Sequence, residues 1–486
     1  MVRNGRIRNQ PQLVTYPDSL GKNLRELSHV LSTYIGDAIG GVHVLPFYPS
    51  SADRGFAPLT HLSVDPKFGT WQDIRTIADK YDFVADLIVN HLSCASSYFQ
   101  DYLERGAQSK YAHMFLDVDV FLERHGVTLD ALRETYRPRP TMPYTEFRFK
   151  DGQTRTLWTT FTHDQVDLDL TQPVTRNLIL RFIERLTEHG VKLLRLDAVG
   201  YAIKKPWTTS FLIPETYEFM RWVRDITPEH VAVLAELHHD YKRQRSLLSS
   251  GVIDWIYDFS LPLLVLHALY SKNSNNLKHW ISIRPARQIN TLDTHDGIGV
   301  VDVQGLLTKE DIDATVDQIT LYGGNHLYRA SGEYSQNLDI YQINTTYFSA
   351  LGEDDDAYIA ARAIQFFIPG IPQVYYVGLL AGSNDLALLE QTNNGRDVNR
   401  HNFTLEEVDE AMERTVVQRL LQLMKLRSSH PAFDGTFTLL PTDIHLVHLR
   451  WQLDDLYCEA RVDLEKRSVE LEYVNPSNGR VEVKRC

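Results

Sequence analysis

The sequence predicts a closed (β/α)8 barrel with two insertions at its mouth and a small all-β domain at its C-terminal end. Three observations predict it: eight short apolar segments alternate with longer helical patterns, polar groups gather where those segments end, and strand-like alternation takes over after about Asp434. The segments are QLVTYPD from Gln12, GGVHVLPFYPS ending at Ser50, YDFVADLIVNH ending at His91, GVKLLRLDAVG from Gly190 to Gly200, HVAVLAELHH, DWIYDFSLPL, INTLDTHDG and IPQVYYVG. Several are apolar almost throughout, as parallel strands covered on both faces must be. Between them, YEFMRWVRDI around Trp222 and MERTVVQRLLQLMKLRSS near Leu421 space apolar residues three and four apart, the stripe of a helix that covers a sheet. An open doubly wound sheet is the competing arrangement, and the strand count favours the barrel.

The barrel is expected over residues 1–88, 173–297 and 351–433. Residues 89–172 form an insertion after the third strand, far longer than an ordinary barrel loop, and hold YRPRPTMPYTEFRFKDGQTRTLWTTF. Residues 298–350 form a second insertion after the seventh strand, with a helical segment followed by SQNLDIYQIN. In 434–486, TFTLL, IHLVHLRW, DLYCEARVDL and SVELEYV alternate as antiparallel strands do, giving the C-terminal β-domain.

Composition narrows the function classes. Across 486 residues, 43% hydrophobic and 23% charged, the composition is that of a folded soluble chain. A net charge of -13 argues against a nucleic-acid partner, which needs concentrated positive charge. The basic cluster Arg3, Arg6 and Arg8 sits in a terminus expected to fray. Cys94, Cys458 and Cys486 form neither a CxxC motif nor a disulfide framework. With no apolar signal run at the N-terminus and no stretch that spans a membrane, a cytoplasmic enzyme is the expectation.

The chemistry is read from carboxylates at strand ends. Retaining transfer from a glycoside needs one carboxylate to attack the sugar carbon and a second carboxyl to protonate the leaving oxygen. Asp197 in RLDAVG and Glu236 in AELHH suit these roles if neighbouring strands bring them together at the barrel mouth. Arg195, two residues before Asp197, shares its strand face and can hold it ionised. Glu236 needs its proton before the first step, and Asp296 in DTHDG can help it keep that proton by like-charge repulsion. Each motif alone has a plainer reading: a strand-end salt bridge, a buried structural histidine, an Asp–Gly turn. Together, at the ends of three strands, they point to catalysis.

RLDAVG, AELHH, DTHDG and the VNH ending at His91 resemble signature segments of the α-amylase superfamily. Within it, QLVTYPDSLGKNL, GGVHVLPFYPSSADRGFAPLTH, YRPRP, QVDLDL, NLDIYQIN and NNGRDVNRH are similar to segments of the sucrose phosphorylase group. The resemblance implies reversible phosphorolysis of sucrose to α-glucose 1-phosphate and fructose through a β-glucosyl-enzyme on Asp197. It implies Glu236 as acid/base, Asp296 as transition-state stabiliser and no cofactor or metal. It also implies Asp53, His91, Arg195, His295 and Arg396 around the glucosyl ring, with Phe56 and Phe161 as an aromatic wall.

On the acceptor side it implies Arg139 and Tyr341 for phosphate, and Asp339, Gln342, His238 and Tyr201 towards fructose. A planar guanidinium such as that of Arg139 suits an oxyanion on its own merits. Plainer readings remain: Arg137 and Arg139 as a solvated turn, Tyr341 as core, Arg396 paired with Asp397, and Tyr375 and Tyr376 as barrel packing.

Close relatives act on sucrose 6′-phosphate, glucosylglycerol or glucosylglycerate and differ mainly in the acceptor region. Tyr341 and Asp339 together favour sucrose, while TMPY after YRPRP departs from the group's usual wording. A sucrose hydrolase and a non-catalytic carbohydrate-binding relative are the remaining alternatives; retention of both Asp197 and Glu236 argues against the second. A homodimer is compatible with the resemblance.

Overall fold

The computed structural model describes residues 7–138, 142–331 and 337–485. Eight parallel strands close a barrel in sequential order: β1 Gln12–Thr15, β2 Gly41–Val44, β3 Asp82–Ile88, β4 Val191–Asp197, β5 Ala232–Ala235, β6 Trp255–Asp258, β7 Gln288–Thr291 and β8 Ile371–Tyr375. Seven lie within the apolar segments expected to form them, and β7 begins one residue before its segment, at Gln288. They are apolar on both faces because both are covered. Leu194 and Leu196 of β4 belong to the large core that includes the surrounding helices. The opposite parity of β4 carries Leu193, clustered with Val84, Leu234, Tyr257, Ile289 and Ile371 of neighbouring strands. The same parity continues upward as Arg195 and Asp197, so a period of two lifts the charges directly above an apolar floor.

The helices follow their stripes. In α1 Pro173–Glu188 and α2 Pro214–Ile226, proline opens the first turn, where its missing N–H costs nothing. Thr216, Phe219, Met220 and Val223 make the buried face of α2, at the spacing read around Trp222. After α3 Asp355–Phe367 the long C-terminal pattern is interrupted: one helix ends at Met412, and α4 Thr415–Ser429 follows.

Between β3 and β4, short strands His91–Ser93 and Gln165–Asp167 pair antiparallel, and a hairpin pairs Tyr144–Arg148 with Thr154–Trp158. Beyond β7, the helix Lys309–Leu321 precedes antiparallel strands Asn325–Ser331 and Asn337–Asn344. The chain ends in a five-stranded antiparallel meander, β9 Thr436–Leu440, β10 Leu446–Leu453, β11 Leu456–Asp463, β12 Ser468–Val474 and β13 Val481–Arg485. Its Trp451 indole N–H donates to the Phe367 carbonyl at the end of α3, 2.6 Å away, tying the meander to the barrel. Among the described residues no helix is long and apolar enough to cross a membrane.

Candidate active site

A pocket opens at the carboxyl ends of the barrel strands. It is lined by thirteen of the residues picked from sequence: Asp53, Phe56, His91, Phe161, Asp197, Tyr201, Glu236, His238, His295, Asp296, Tyr341, Gln342 and Arg396. Arg195 lies beneath, 3% exposed, bonded to a lining carboxylate. Arg139 lies outside the described residues, as does the side chain of Asp339. Pro138, Gln165, Ala198 and Leu327 complete the lining and were not picked from sequence.

Asp197 ends β4, and its Oδ1 accepts from Arg195 Nη1 at 2.8 Å. The same Nη1 donates to Asp86 of β3, and Asp86 takes His43 Nε2 of β2 at 2.8 Å. A chain of alternating charge and hydrogen bonding thus runs under the pocket floor. Burial alone would push Asp86 up, but Arg195 and His43 hold it well below the usual carboxylate range. Arg195 is therefore a fixed cation with an ionised partner behind it and Asp197 in front.

Glu236 follows β5. Its Oε2 accepts the N–H of Ala198, the residue after Asp197, at 2.8 Å, which sets the two carboxyl groups side by side. Ala198 takes a left-handed φ of 49° to do this, a strain of about 1–2 kcal/mol. Burial, with the carboxylates of Glu236, Asp86 and Asp296, pushes the Asp197 carboxyl up to about 8 against the pull of Arg195. Arg195 touches Asp197 and opposes that rise, favouring the ionised form a nucleophile needs.

The opposite wall is built from strained backbone and ion pairs. Asp53 and Arg54 both have left-handed φ, 50° and 48°, without being glycine. Arg54 pins this turn, donating to Arg400 O at 3.0 Å, Asp18 Oδ1 at 2.9 Å and Asn402 Oδ1 at 2.8 Å. The turn presents Asp53 to the pocket and lays the Phe56 ring flat on His295, centroids 4.8 Å apart and planes within 1°. Burial drives His295 well below its ordinary value, so it is a neutral imidazole.

Arg396 pairs with Asp296 at 3.0 Å rather than with Asp397, which faces Arg400. Burial would raise Asp296, yet the guanidinium groups of Arg396 and Arg400 keep it ionised. His91 donates from Nε2 to the Phe56 carbonyl at 2.7 Å, so its first task is to hold the Phe56 turn. Gln165 Nε2 donates to that same carbonyl at 2.9 Å.

On the remaining side, Phe161 packs edge-on against Tyr201, and Tyr201 stacks on Tyr136. His238 lies flat on Phe259, centroids 4.0 Å apart, with Tyr341 edge-on at 5.5 Å. Burial pushes the Tyr341 hydroxyl far up, so it stays a neutral donor. Gln342 brings its side-chain amide to 3.1 Å from His238 Nε2.

Lys204, also unmarked in the sequence reading, ties three segments beneath this wall. Its ammonium is 2.8 Å from Asp167 Oδ2, donates to Asn90 Oδ1 at 3.0 Å and also donates to the Tyr201 carbonyl. Both side chains of the ion pair are almost fully buried. Lys204→Met leaves the Asp167 charge without its cation, and a broken buried pair costs about 3–5 kcal/mol. A lowered thermal midpoint is the expected result; an unchanged midpoint would show that the ammonium does not hold this seam.

The polar groups missed from sequence, Asp86, His43, Lys204, Asp302 and Arg400, share one signal: a charged or titratable residue inside an otherwise apolar or motif-bearing stretch. Among the described residues no cluster of metal-ligating side chains occurs.

Residues 33–287 match the family described as alpha amylase, catalytic domain. The crystal structure of sucrose 6F-phosphate phosphorylase from Thermoanaerobacter thermosaccharolyticum superposes with a TM-score of 0.95, 42% identity and 99% coverage of both chains. The chain is 43% identical over 482 residues to glucosylglycerol phosphorylase of Marinobacter adhaerens, covering 99% of this chain and 100% of the relative. It is 45% identical over 428 residues to sucrose phosphorylase of Streptococcus mutans, covering 88% and 89%.

Proposed function

This chain belongs to the α-amylase superfamily, and within it to the phosphorylases that act on α-glucosides with retention; from that premise we propose that Asp197 and Glu236 carry the reaction. The observation that supports this assignment is the cation-held Asp197 set beside Glu236 at one pocket floor.

Asp197 attacks the anomeric carbon as the bond to the leaving oxygen breaks, and Glu236 gives that oxygen its proton. The product is a β-glucosyl ester on Asp197. Inorganic phosphate then attacks from the face the aglycone has left, Glu236 accepts the phosphate proton if one is carried, and α-glucose 1-phosphate departs. Asp296, kept ionised by Arg396, stabilises the positive charge that develops on the sugar ring in both steps. Asp53 and Arg396 meet the ring hydroxyls, and the flat Phe56–His295 face covers the ring's apolar side. Arg139 and Tyr341 are the proposed phosphate ligands.

The leaving aglycone is a narrower proposal. Along the described lining the guanidinium is that of Arg396, already paired with Asp296. In the acceptor-side stretches whose side chains lie outside the description, the basic residues are Arg139 and Arg329. An aglycone bearing its own phosphate needs cations beyond those that receive inorganic phosphate. Tyr341 and Asp339, the residue types of the sucrose group at these acceptor-side positions, support an uncharged aglycone, with sucrose as the first donor. Glucosylglycerol is the second reading, supported by the relative matched over its full length. Overall likeness to the sucrose 6F-phosphate enzyme weighs the other way, so charge is the property to test.

The test offers sucrose, sucrose 6F-phosphate and glucosylglycerol separately, with and without inorganic phosphate, and measures α-glucose 1-phosphate and glucose. Phosphate-dependent glucose 1-phosphate, with kcat/KM highest for sucrose, is expected. A kcat/KM greater for sucrose 6F-phosphate would overturn the uncharged aglycone, and glucose released without phosphate dependence would indicate a hydrolase.

A further inference from the structure

Asp302 sits in the tight turn Val301–Val303 that follows β7, fully buried and outside the pocket lining. Its Oδ2 accepts from His238 Nδ1 at 2.9 Å. Its Oδ1 accepts the His239 backbone N–H and the Gln244 side-chain amide, each at 3.1 Å. Its own carbonyl accepts from Ser260 Oγ at 2.8 Å. Two N–H donors on one oxygen and a ring nitrogen on the other suit an ionised carboxylate, so Nδ1 of His238 must be the donor.

That bond leaves Nε2 as the atom His238 shows to the pocket, 3.6 Å from Glu236 Oε1. Phe259 beneath the ring and Tyr341 at its edge fix its plane. Gln342 reports the charge. As placed, its Nε2 faces His238 Nε2 at 3.1 Å while its buried Oε1 has no partner among the described residues. Exchanging amide oxygen and nitrogen, which heavy-atom geometry alone does not distinguish, gives Oε1 a donor if His238 carries N–H on both nitrogens. Space is reserved for the pair: a methyl on Gly299 would overlap Asp302 Oδ2 and lie 3.3 Å from His238 Nδ1.

We propose that Asp302 is a positioning residue that keeps His238 as an imidazolium whose Nε2–H passes from Gln342 Oε1 to the incoming phosphate in the acceptor subsite. This rests on the phosphorylase reading above and extends it to how phosphate is preferred over water. A dianion gains the attraction of opposite charges as well as a hydrogen bond at that Nε2–H, whereas water gains the hydrogen bond alone. The groups that face His238 are consistent with a cation there: Asp302 from the turn, Glu236 from β5, Asp296 from the loop after β7, and neutral Tyr341 and Gln342 from the hairpin. Against the effect of burial, the charge and hydrogen bond of Asp302, with Asp296 beyond, hold the imidazole above its ordinary value.

The experiment uses α-glucosyl fluoride as donor, so that the identity of the natural aglycone does not enter. Glucose 1-phosphate and glucose are measured for the native enzyme, Asp302→Asn and Ser260→Ala, the last removing only the bond to the Asp302 carbonyl. Asp302→Asn should raise KM for phosphate about 10- to 100-fold, the worth of a hydrogen bond to a charged group, and leave phosphate-free glucose release within about threefold. Ser260→Ala should leave both unchanged.

A second measurement needs no variant: inhibition by sulfate, whose charge is constant between about pH 6 and 9, should weaken with rising pH as the imidazolium titrates. In Asp302→Asn, where it folds, that loss should come at lower pH. An unchanged phosphate KM in folded Asp302→Asn, or sulfate inhibition independent of pH in the native enzyme, would overturn the proposal. If the native enzyme makes no glucose 1-phosphate at all, the phosphorylase reading itself fails, a result distinct from either.

Discussion

Asp197→Asn is expected to lower glucosyl transfer about 10^4-fold or more, equally for phosphorolysis and for hydrolysis, because both outcomes pass through the same ester. The substitution keeps the side chain's size and lets it stay near Arg195, so the pocket should remain intact. What disappears is the nucleophile, and with it one negative charge between Arg195 and the pocket. Binding is therefore expected to survive where turnover does not. Mass spectrometry after rapid quenching with α-glucosyl fluoride should find a glucosyl adduct on the native protein and none on the variant. An adduct on Asp197→Asn, or residual activity above about one per cent of native, would place the nucleophile elsewhere.

Glu236→Gln should divide by donor rather than by acceptor. With a sugar or polyol leaving group, loss of the general acid is expected to cost about 10^2–10^4-fold in kcat/KM. With fluoride, which leaves without a proton, glucosylation of Asp197 should fall far less. The ester then accumulates, and a small anion such as azide, which attacks without base assistance, should restore turnover as an α-glucosyl product, because the second displacement inverts the β-ester. The amide oxygen introduced by the substitution can still accept the Ala198 N–H that Glu236 accepts, so a collapsed site is not the expected cause of the loss. Equal losses for sucrose and the fluoride would sink the acid/base assignment.

Much of the architecture was legible because it depends on local periodicity. Each barrel strand occupies an apolar run short enough for one crossing, and Arg195 and Asp197 sit two apart at the end of theirs, so parity alone set both on the inner face. The break between Met412 and Thr415 was not legible, since apolar spacing continues across it.

The unread parts of the site are those that depend on long-range partners. Asp86 looks like an intruder in DFVADLI until Arg195, 109 residues later, stands beside it. Asp302 meets His238 across 64 residues, and Arg54 meets Arg400 across 346. Periodicity carries no information about such pairs. The left-handed turn at Asp53 and Arg54 was equally silent, because Arg is not a residue type that announces such backbone and a lone Asp is a weak sign of it. His91 shows the reverse: the resemblance directs attention to the sugar, whereas the geometry first commits its Nε2 to the Phe56 carbonyl.

Lys204 has a consequence for how this wall of the pocket is kept filled. Its three oxygen partners, from the end of β3, the insertion and the turn after β4, would suit any small cation. A dissolved ion would occupy them by mass action, at a level set by its concentration and open to competition from chelators. An ammonium on the chain has no dissociation step. It arrives during synthesis at one per molecule and takes its place as the segments fold, so occupancy of this socket is inherited through translation rather than drawn from the surrounding medium.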